Sequence, residues 1–135
     1  PIGVADIKRK GKDVTVVSFG KIIKEAFKAA DELEKEGIEC EVIDLRTLRP
    51  IDYDTVLESV KKTNRLVILE ESWPFGNIST DISHKVQNEI FDFLDAPVEK
   101  VNNADTPTPY SPVLLEEWLP NSGEVIKAVK KVLYI

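Results

Sequence analysis

Apolar residues recur along this chain in two alternating rhythms. "VTVVSF", Val14 to Phe19, is a short β-branched run of the kind that forms a strand covered on both faces. After Gly20, the apolar positions Ile22, Ile23, Ala26, Phe27, Ala30 and Leu33 follow at spacings of three and four, which predicts a helix laying one stripe on a sheet. Gly37 suits its left-handed stop. The next strand spans Glu39 to Leu45. Asp52 is then placed to cap a helix that turns Tyr53, Val56, Leu57 and Val60 inward. "RLVILEE" predicts a third buried strand, and Ile78, Ile82, Val86 and Ile90 a helix beyond a Trp-Pro-Phe-Gly loop. "APVEKVN" predicts a fourth interior strand. "DTPTPYSP" excludes regular helix and central sheet. A last helix opens at Asn121 with Glu124 three positions on, the spacing of a capping box, and buries Val125, Ile126, Val129, Val132 and Leu133.

Strand and helix alternate almost without interruption, which predicts one α/β domain with a parallel sheet and helices on both faces. "VADIKRKG" at the front offers an edge strand with weak alternation. Open sheets of this kind bind ligands beyond the carboxyl ends of their strands. Three stretches fall there: "SFGKI", "DLRTLRP" and "EESWPFG". Gly20 and Lys21 before a helix resemble a phosphate loop in outline only, since neither GxGxxG nor GxxxxGK[ST] is present. Glu70 and Glu71 point to opposite faces of their strand and cannot address one substrate together; one of them is expected to meet a cation. His84 has no nucleophile signature near it and reads as structural. Arg46 and Arg49 stand where a strand turns sharply into a Pro50-led corner. Their donor-rich guanidinium groups suit loop carbonyls or a subunit interface better than catalysis. Trp73 and Trp118 flank proline-containing loops, where a large amphipathic ring anchors a loop or meets another chain.

Composition narrows the classes. With 135 residues, 42% hydrophobic and 31% charged, the chain suits one folded domain. A formal charge of −6 disfavours nucleic acid as a partner, and "KRKGK", Lys8 to Lys12, reads as a solvated strand end. No apolar run approaches the ~18 residues that a membrane-spanning helix needs. Cys40 is the one cysteine and reads as a small core residue; with a single histidine, zinc-ligand spacing is missing. The chain opens on Pro1, as expected of a piece of something longer.

At "DLRTLRPID", "KKTNRLVILEESWP", "FDFLDAPVEKV", "ADTPTPYSP", "WLP" and "AVKKVLYI" the sequence resembles the C-terminal domain of the beta subunit of the pyruvate dehydrogenase decarboxylating component. The resemblance covers essentially the whole chain. It implies the transketolase C-terminal fold, a three-layer α/β/α arrangement on a mostly parallel five-stranded sheet with an antiparallel first strand. It further implies an enzyme of two alpha and two beta subunits that uses thiamine diphosphate and magnesium to decarboxylate a 2-oxo acid and acylate a lipoyl group. The cofactor is implied to lie outside this segment, whose paired Asn102 and Asn103 lack the upstream Gly-Asp-Gly of a thiamine diphosphate motif.

What the resemblance implies for this segment is assembly. The expected partners are the alpha subunit, a second beta subunit and the peripheral subunit-binding domain of the dihydrolipoyl acyltransferase. The acceptors for that last, basic partner map to Asp95 and to the terminal carboxylate of Ile135. Asp92, one helical turn before Asp95, would enlarge the same negative patch, although the family pattern does not carry it. The implied compartment is the mitochondrial matrix in a eukaryote and the cytoplasm in a bacterium. Alternatives remain open: the same domain of a branched-chain 2-oxo acid dehydrogenase, of transketolase or of deoxyxylulose-phosphate synthase, or a stand-alone flavodoxin-like nucleotide-binding module.

Overall fold

Alternating side chains decide the layers. In the computed structural model, which describes residues 1–135, β2 (Val14–Ser18), β3 (Cys40–Asp44) and β4 (Leu66–Leu69) run parallel and are buried almost throughout. Successive residues on a strand face opposite sides. Val16, Val42 and Val67 therefore enter one core with Ala26, Ala30 and Leu33 of α1 (Ile23–Lys35) and Val125 and Val129 of a C-terminal helix. Their neighbours Val17, Ile43 and Ile68 enter the opposite core with Val56 and Val60 of α2 (Tyr53–Thr63) and Ile82 and Val86 of α3 (Ile78–Ile90). The result is a three-layer α/β/α sandwich.

The sheet is completed by two edge strands. β1 (Asp6–Arg9) pairs antiparallel with β3, and β5 (Glu99–Val101) pairs parallel with β4, giving the order β1-β3-β2-β4-β5. The weak front strand is thus real. Its alternation is blurred by a register shift between Ile7 and Arg9 and by Lys8, which pairs with Asp6. "APVEKVN" is corrected in both length and position: only three residues extend, and they lie at the sheet edge. Glu99 and Lys100 put charge there, which discourages pairing with another sheet.

Two helices finish the chain. α4 (Pro112–Trp118) begins on the last residue of the proline-rich connection and has no counterpart in the sequence pattern above; Pro112 takes its first turn, where the missing N–H costs nothing. α5 (Ser122–Leu133) has the expected capping box, with Asn121 Oδ1 accepting from Glu124 N and Glu124 Oε2 accepting from Asn121 N, each at 3.1 Å. Cys40 is a core residue, and burial pushes its thiol up to about 12. No helix is long and apolar enough to cross a membrane.

Candidate functional site

Asp95 sits at the amino end of the sheet, just before β5, in a knot of three chain segments. Asn64 closes α2 in the left-handed region, at φ 62°. That reversal aims its carbonyl at Asp95 N, 2.9 Å away, and its Nδ2 at the Phe93 carbonyl, 2.8 Å away. Arg65 follows and reaches two ways: Nε donates to the Val132 carbonyl at 3.0 Å, and Nη2 lies 3.6 Å from Asp95 Oδ2. Tyr134, also left-handed, donates its hydroxyl to the Asp95 carbonyl at 3.3 Å. Asp95 is therefore tied to Tyr134 and, through Arg65, to Val132 near the chain's end, while Ile135 is held by its own N–H to the Lys130 carbonyl at 3.1 Å.

The surroundings are open and apolar. The Asp95 side chain is 56% exposed, and Phe91, Phe93, Tyr134 and Ile135 all stand in solvent. A carboxylate amid exposed rings, with one oxygen near Arg65 and the other free of partners, can accept from a second cation. Asp92 is less well placed than its spacing suggests. It lies on a 3₁₀ turn, Phe91–Phe93, and Leu94 leaves the helical region at ψ 125°, so Asp92 and Asp95 do not share a helical turn.

The carboxyl end of the sheet is built differently. Glu70, 4% exposed, accepts from Ile78 N at 3.2 Å and from Ser79 N and Oγ at 2.9 and 2.8 Å. The expected cation is replaced by the amino end of α3, where unpaired N–H groups and the helix dipole favour an anion. Glu71 is exposed on the other face. Asn77 caps the same helix, accepting from Thr80 N at 3.0 Å. His84 is exposed on α3 with Asn88 Nδ2 3.2 Å from its Nε2, a structural placement.

The corner after β3 is not tied by its arginines. Thr47 Oγ1 accepts from Gly3 N at 3.1 Å and donates to the Pro50 carbonyl at 2.9 Å, and Asp52 Oδ2 accepts from Ala5 N at 2.9 Å. Burial raises the Asp52 carboxyl, but the donations from Ala5 and Thr55 outweigh it and hold the group below its ordinary range. Arg46, at φ 60°, and Arg49, before a cis peptide to Pro50, are exposed, and neither guanidinium makes a hydrogen bond or ion pair within the chain. Small polar side chains fill the corner role expected of them.

Trp73 and Trp118 converge. Their indole Nε1 atoms donate to one acceptor, the Thr106 carbonyl, at 2.9 and 3.0 Å. This pins the proline-rich connection between the loop after β4 and the end of α4, and leaves Phe75, Tyr110, Val113 and Leu114 exposed beside it. The residues here do not fit thiamine diphosphate or magnesium. No Gly-Asp-Gly precedes Asn102 and Asn103, and no group of three His, Cys, Asp or Glu side chains could hold a metal ion.

The five-stranded α/β/α architecture defines the class of module, and residues 3–125 match the family model described as transketolase, C-terminal domain; the chain belongs to that family. Curated relatives include pyruvate dehydrogenase E1 component subunit beta from Rickettsia felis, 51% identical over 99% of this chain and 41% of that protein. The protein of the same description from Rhizobium meliloti is 52% identical over 99% of this chain and 29% of its own length. An acetoin:2,6-dichlorophenolindophenol oxidoreductase subunit beta from Cupriavidus necator is 47% identical over 98% of this chain and 39% of that protein. Among solved structures, a split-gene transketolase described as an inactive beta4 tetramer aligns with TM-score 0.85 and 34% identity, over 98% of this chain and 43% of that one. The chain thus spans less than half the length of these relatives.

Proposed function

We propose that this chain is the assembly and complex-docking domain of a pyruvate dehydrogenase (acetyl-transferring) beta subunit. The carrying observation is identity of about one half to such subunits over nearly the whole chain. In this reading the complete enzyme uses thiamine diphosphate and magnesium to decarboxylate pyruvate and acetylate the lipoyl group of the acyltransferase. This segment supplies contact surfaces to that reaction and no reacting group. The unpaired Arg46 and Arg49 and the exposed aromatic face around Trp73 serve contacts with the alpha and second beta subunits. Asp95 and the Ile135 carboxylate receive the basic peripheral subunit-binding domain of the acyltransferase, with Asp92 in the surrounding negative field. A Dictyostelium discoideum relative at 46% identity is described as mitochondrial, which supports a mitochondrial location should this chain come from a eukaryote.

The test is reconstitution. Mixed with a pyruvate dehydrogenase alpha subunit and the beta N-terminal domain, the chain should enter a heterotetramer seen by light scattering, while alone it turns over no pyruvate. Failure to assemble, or turnover by the chain alone, removes the reading. The acetoin-type relative supports a second reading, in which the same domain serves an acetoin-cleaving enzyme. Activity of the reconstituted tetramer on acetoin and not on pyruvate would establish it.

A further inference from the structure

The two indoles that share the Thr106 carbonyl form part of a cleft of about 390 Å³ at the carboxyl ends of β4 and β5, with Phe75, Thr108, Glu71 and Asn103 among its other walls. We propose that this cleft receives an arginine side chain projected by a neighbouring polypeptide. The inference deepens the reading of this end of the sheet as a subunit-contact face, and rests on it.

Three observations converge. The first is an unmet hydrogen-bonding group. Asn103 is 6% exposed, and its Oδ1 is buried with no partner. Its backbone N–H is fixed to the Ser72 carbonyl at 2.9 Å, so the residue is held in the cleft wall while its carboxamide is left idle. Buried amides in native folds are paired, and a half-turn of the amide presents either of its polar atoms to an occupant. The second is the lining. The indole N–H groups are already committed to Thr106, so the rings offer apolar surface and π faces, with Phe75 88% exposed beside them. Aromatic faces attract a cation, and a planar guanidinium stacks on them better than an ammonium.

The third is charge. The residues lining the cleft include no lysine or arginine, and their single charged side chain is the Glu71 carboxylate. Lys100, on β5, is engaged elsewhere, by the Pro74 carbonyl and Thr80 Oγ1, each at 3.0 Å. A side chain that is flat, cationic and rich in donors satisfies all three at once. It stacks on a ring, pairs with Glu71 and donates to Asn103. A lysine would lose the stacking and the forked donation, and an aliphatic side chain would leave Glu71 and Asn103 unmet.

The chain has two tryptophans, so its ¹H–¹⁵N spectrum shows two indole Nε1–H signals, both reporting on this cleft. Titration with N-acetyl-arginine methylamide should move both indole signals and the Asn103 side-chain amide saturably, with Kd on the order of 10 mM. The lysine analogue should bind more weakly and the norleucine analogue not at all. Glu71→Gln, an exposed change that leaves the core intact, should weaken the arginine probe roughly two- to five-fold. No saturable shift with the arginine probe, equal binding of the lysine or norleucine analogue, or an unchanged Kd in Glu71→Gln would each overturn the proposal. The titration uses this chain alone, so its failure leaves subunit assembly standing, and failed assembly does not touch the titration.

Discussion

The Tyr134 hydroxyl donates to the Asp95 carbonyl, tying the end of α5 to the segment that leads into β5. Arg65 tightens the same knot by bridging the Val132 carbonyl and the Asp95 carboxylate. Asp95 thus has two duties that a substitution can separate. Its backbone holds the fold together, and its carboxylate faces outward.

Asp95→Ala should therefore spare the fold and weaken docking. The backbone bonds to Asn64 and Tyr134 survive the change, and an exposed ion pair at 3.6 Å contributes little to stability. Toward a basic docking domain the loss should be about 1–2 kcal/mol, below the cost of a fully buried pair because the carboxylate is half exposed. Calorimetric titration at two salt concentrations checks this. Affinity should fall with rising salt in the native chain and fall less in Asp95→Ala. Unchanged affinity in Asp95→Ala, and in a chain extended beyond Ile135, would take both groups out of the interface.

Trp73 and Trp118 should behave as a coupled pair. Because both donate to Thr106, replacing either by Phe leaves the carbonyl one indole donor, and the double variant leaves none. Each single change should cost less than about 1 kcal/mol, with the double costing some 0.5–1 kcal/mol beyond their sum. A double-mutant cycle by urea unfolding measures the excess, and strict additivity would show that the shared carbonyl does not couple the rings.

Features that depend on local pattern are legible in the sequence, and features that depend on long-range meeting are not. β2, β3 and β4 are legible because strands buried on both faces read as unbroken apolar runs. The capping box at Asn121 is legible because its partners are three residues apart. Glu70 was not, since its role exists only when a strand end meets a helix eight residues further on. The sharing of Thr106 by two tryptophans was equally hidden, at separations of 33 and 12 residues. α4 had one overlooked signal, Ser-Pro at residues 111 and 112, a favoured helix opening that the surrounding prolines masked. The corner arginines were singled out for chemical capacity, and two smaller residues with the right reach did their work.

Gly11 should be the least replaceable glycine. A Cβ there would lie 2.3 Å from the Cys40 carbonyl carbon and 2.5 Å from Glu41 N, both backbone atoms of a central strand. Neither can move without shifting β3. Gly37, at φ 81°, has nothing within 4 Å of its Cβ position and carries only conformational strain. Gly37→Ala should cost about 1 kcal/mol. Gly11→Ala should cost about 3 kcal/mol or more, in the range of severe overpacking. Equal costs by urea unfolding would mean that the connection between β1 and β2 yields freely.

Glu41 contributes to the fold's stability on the acid side. This residue, 1% exposed on β3, accepts through its carboxylate from Ser59 Oγ at 2.7 Å, from Gly11 N at 3.3 Å and from the Lys62 ammonium. Ser59 in turn bonds Thr15, which bonds Thr63, so a polar seam runs between β2, β3 and α2. Burial pushes the Glu41 carboxyl up; Lys62, Ser59 and Gly11 together outweigh it and leave it below the ordinary value of 4.5. The unfolded chain therefore binds this proton more readily than the folded one. Stability from the group is complete above the unfolded value and declines as pH falls through the folded one. Lys62→Ala removes the cation, so the folded-state value should rise and this acid-side contribution should shrink. The stability loss near neutral pH should be about 1–2 kcal/mol, limited by the half-exposure of the lysine. Urea titrations from pH 7 down to pH 3 compare the slopes. A Lys62→Ala chain with the native slope and the native midpoint at every pH would show that the seam, and not the ion pair, holds Glu41 ionised.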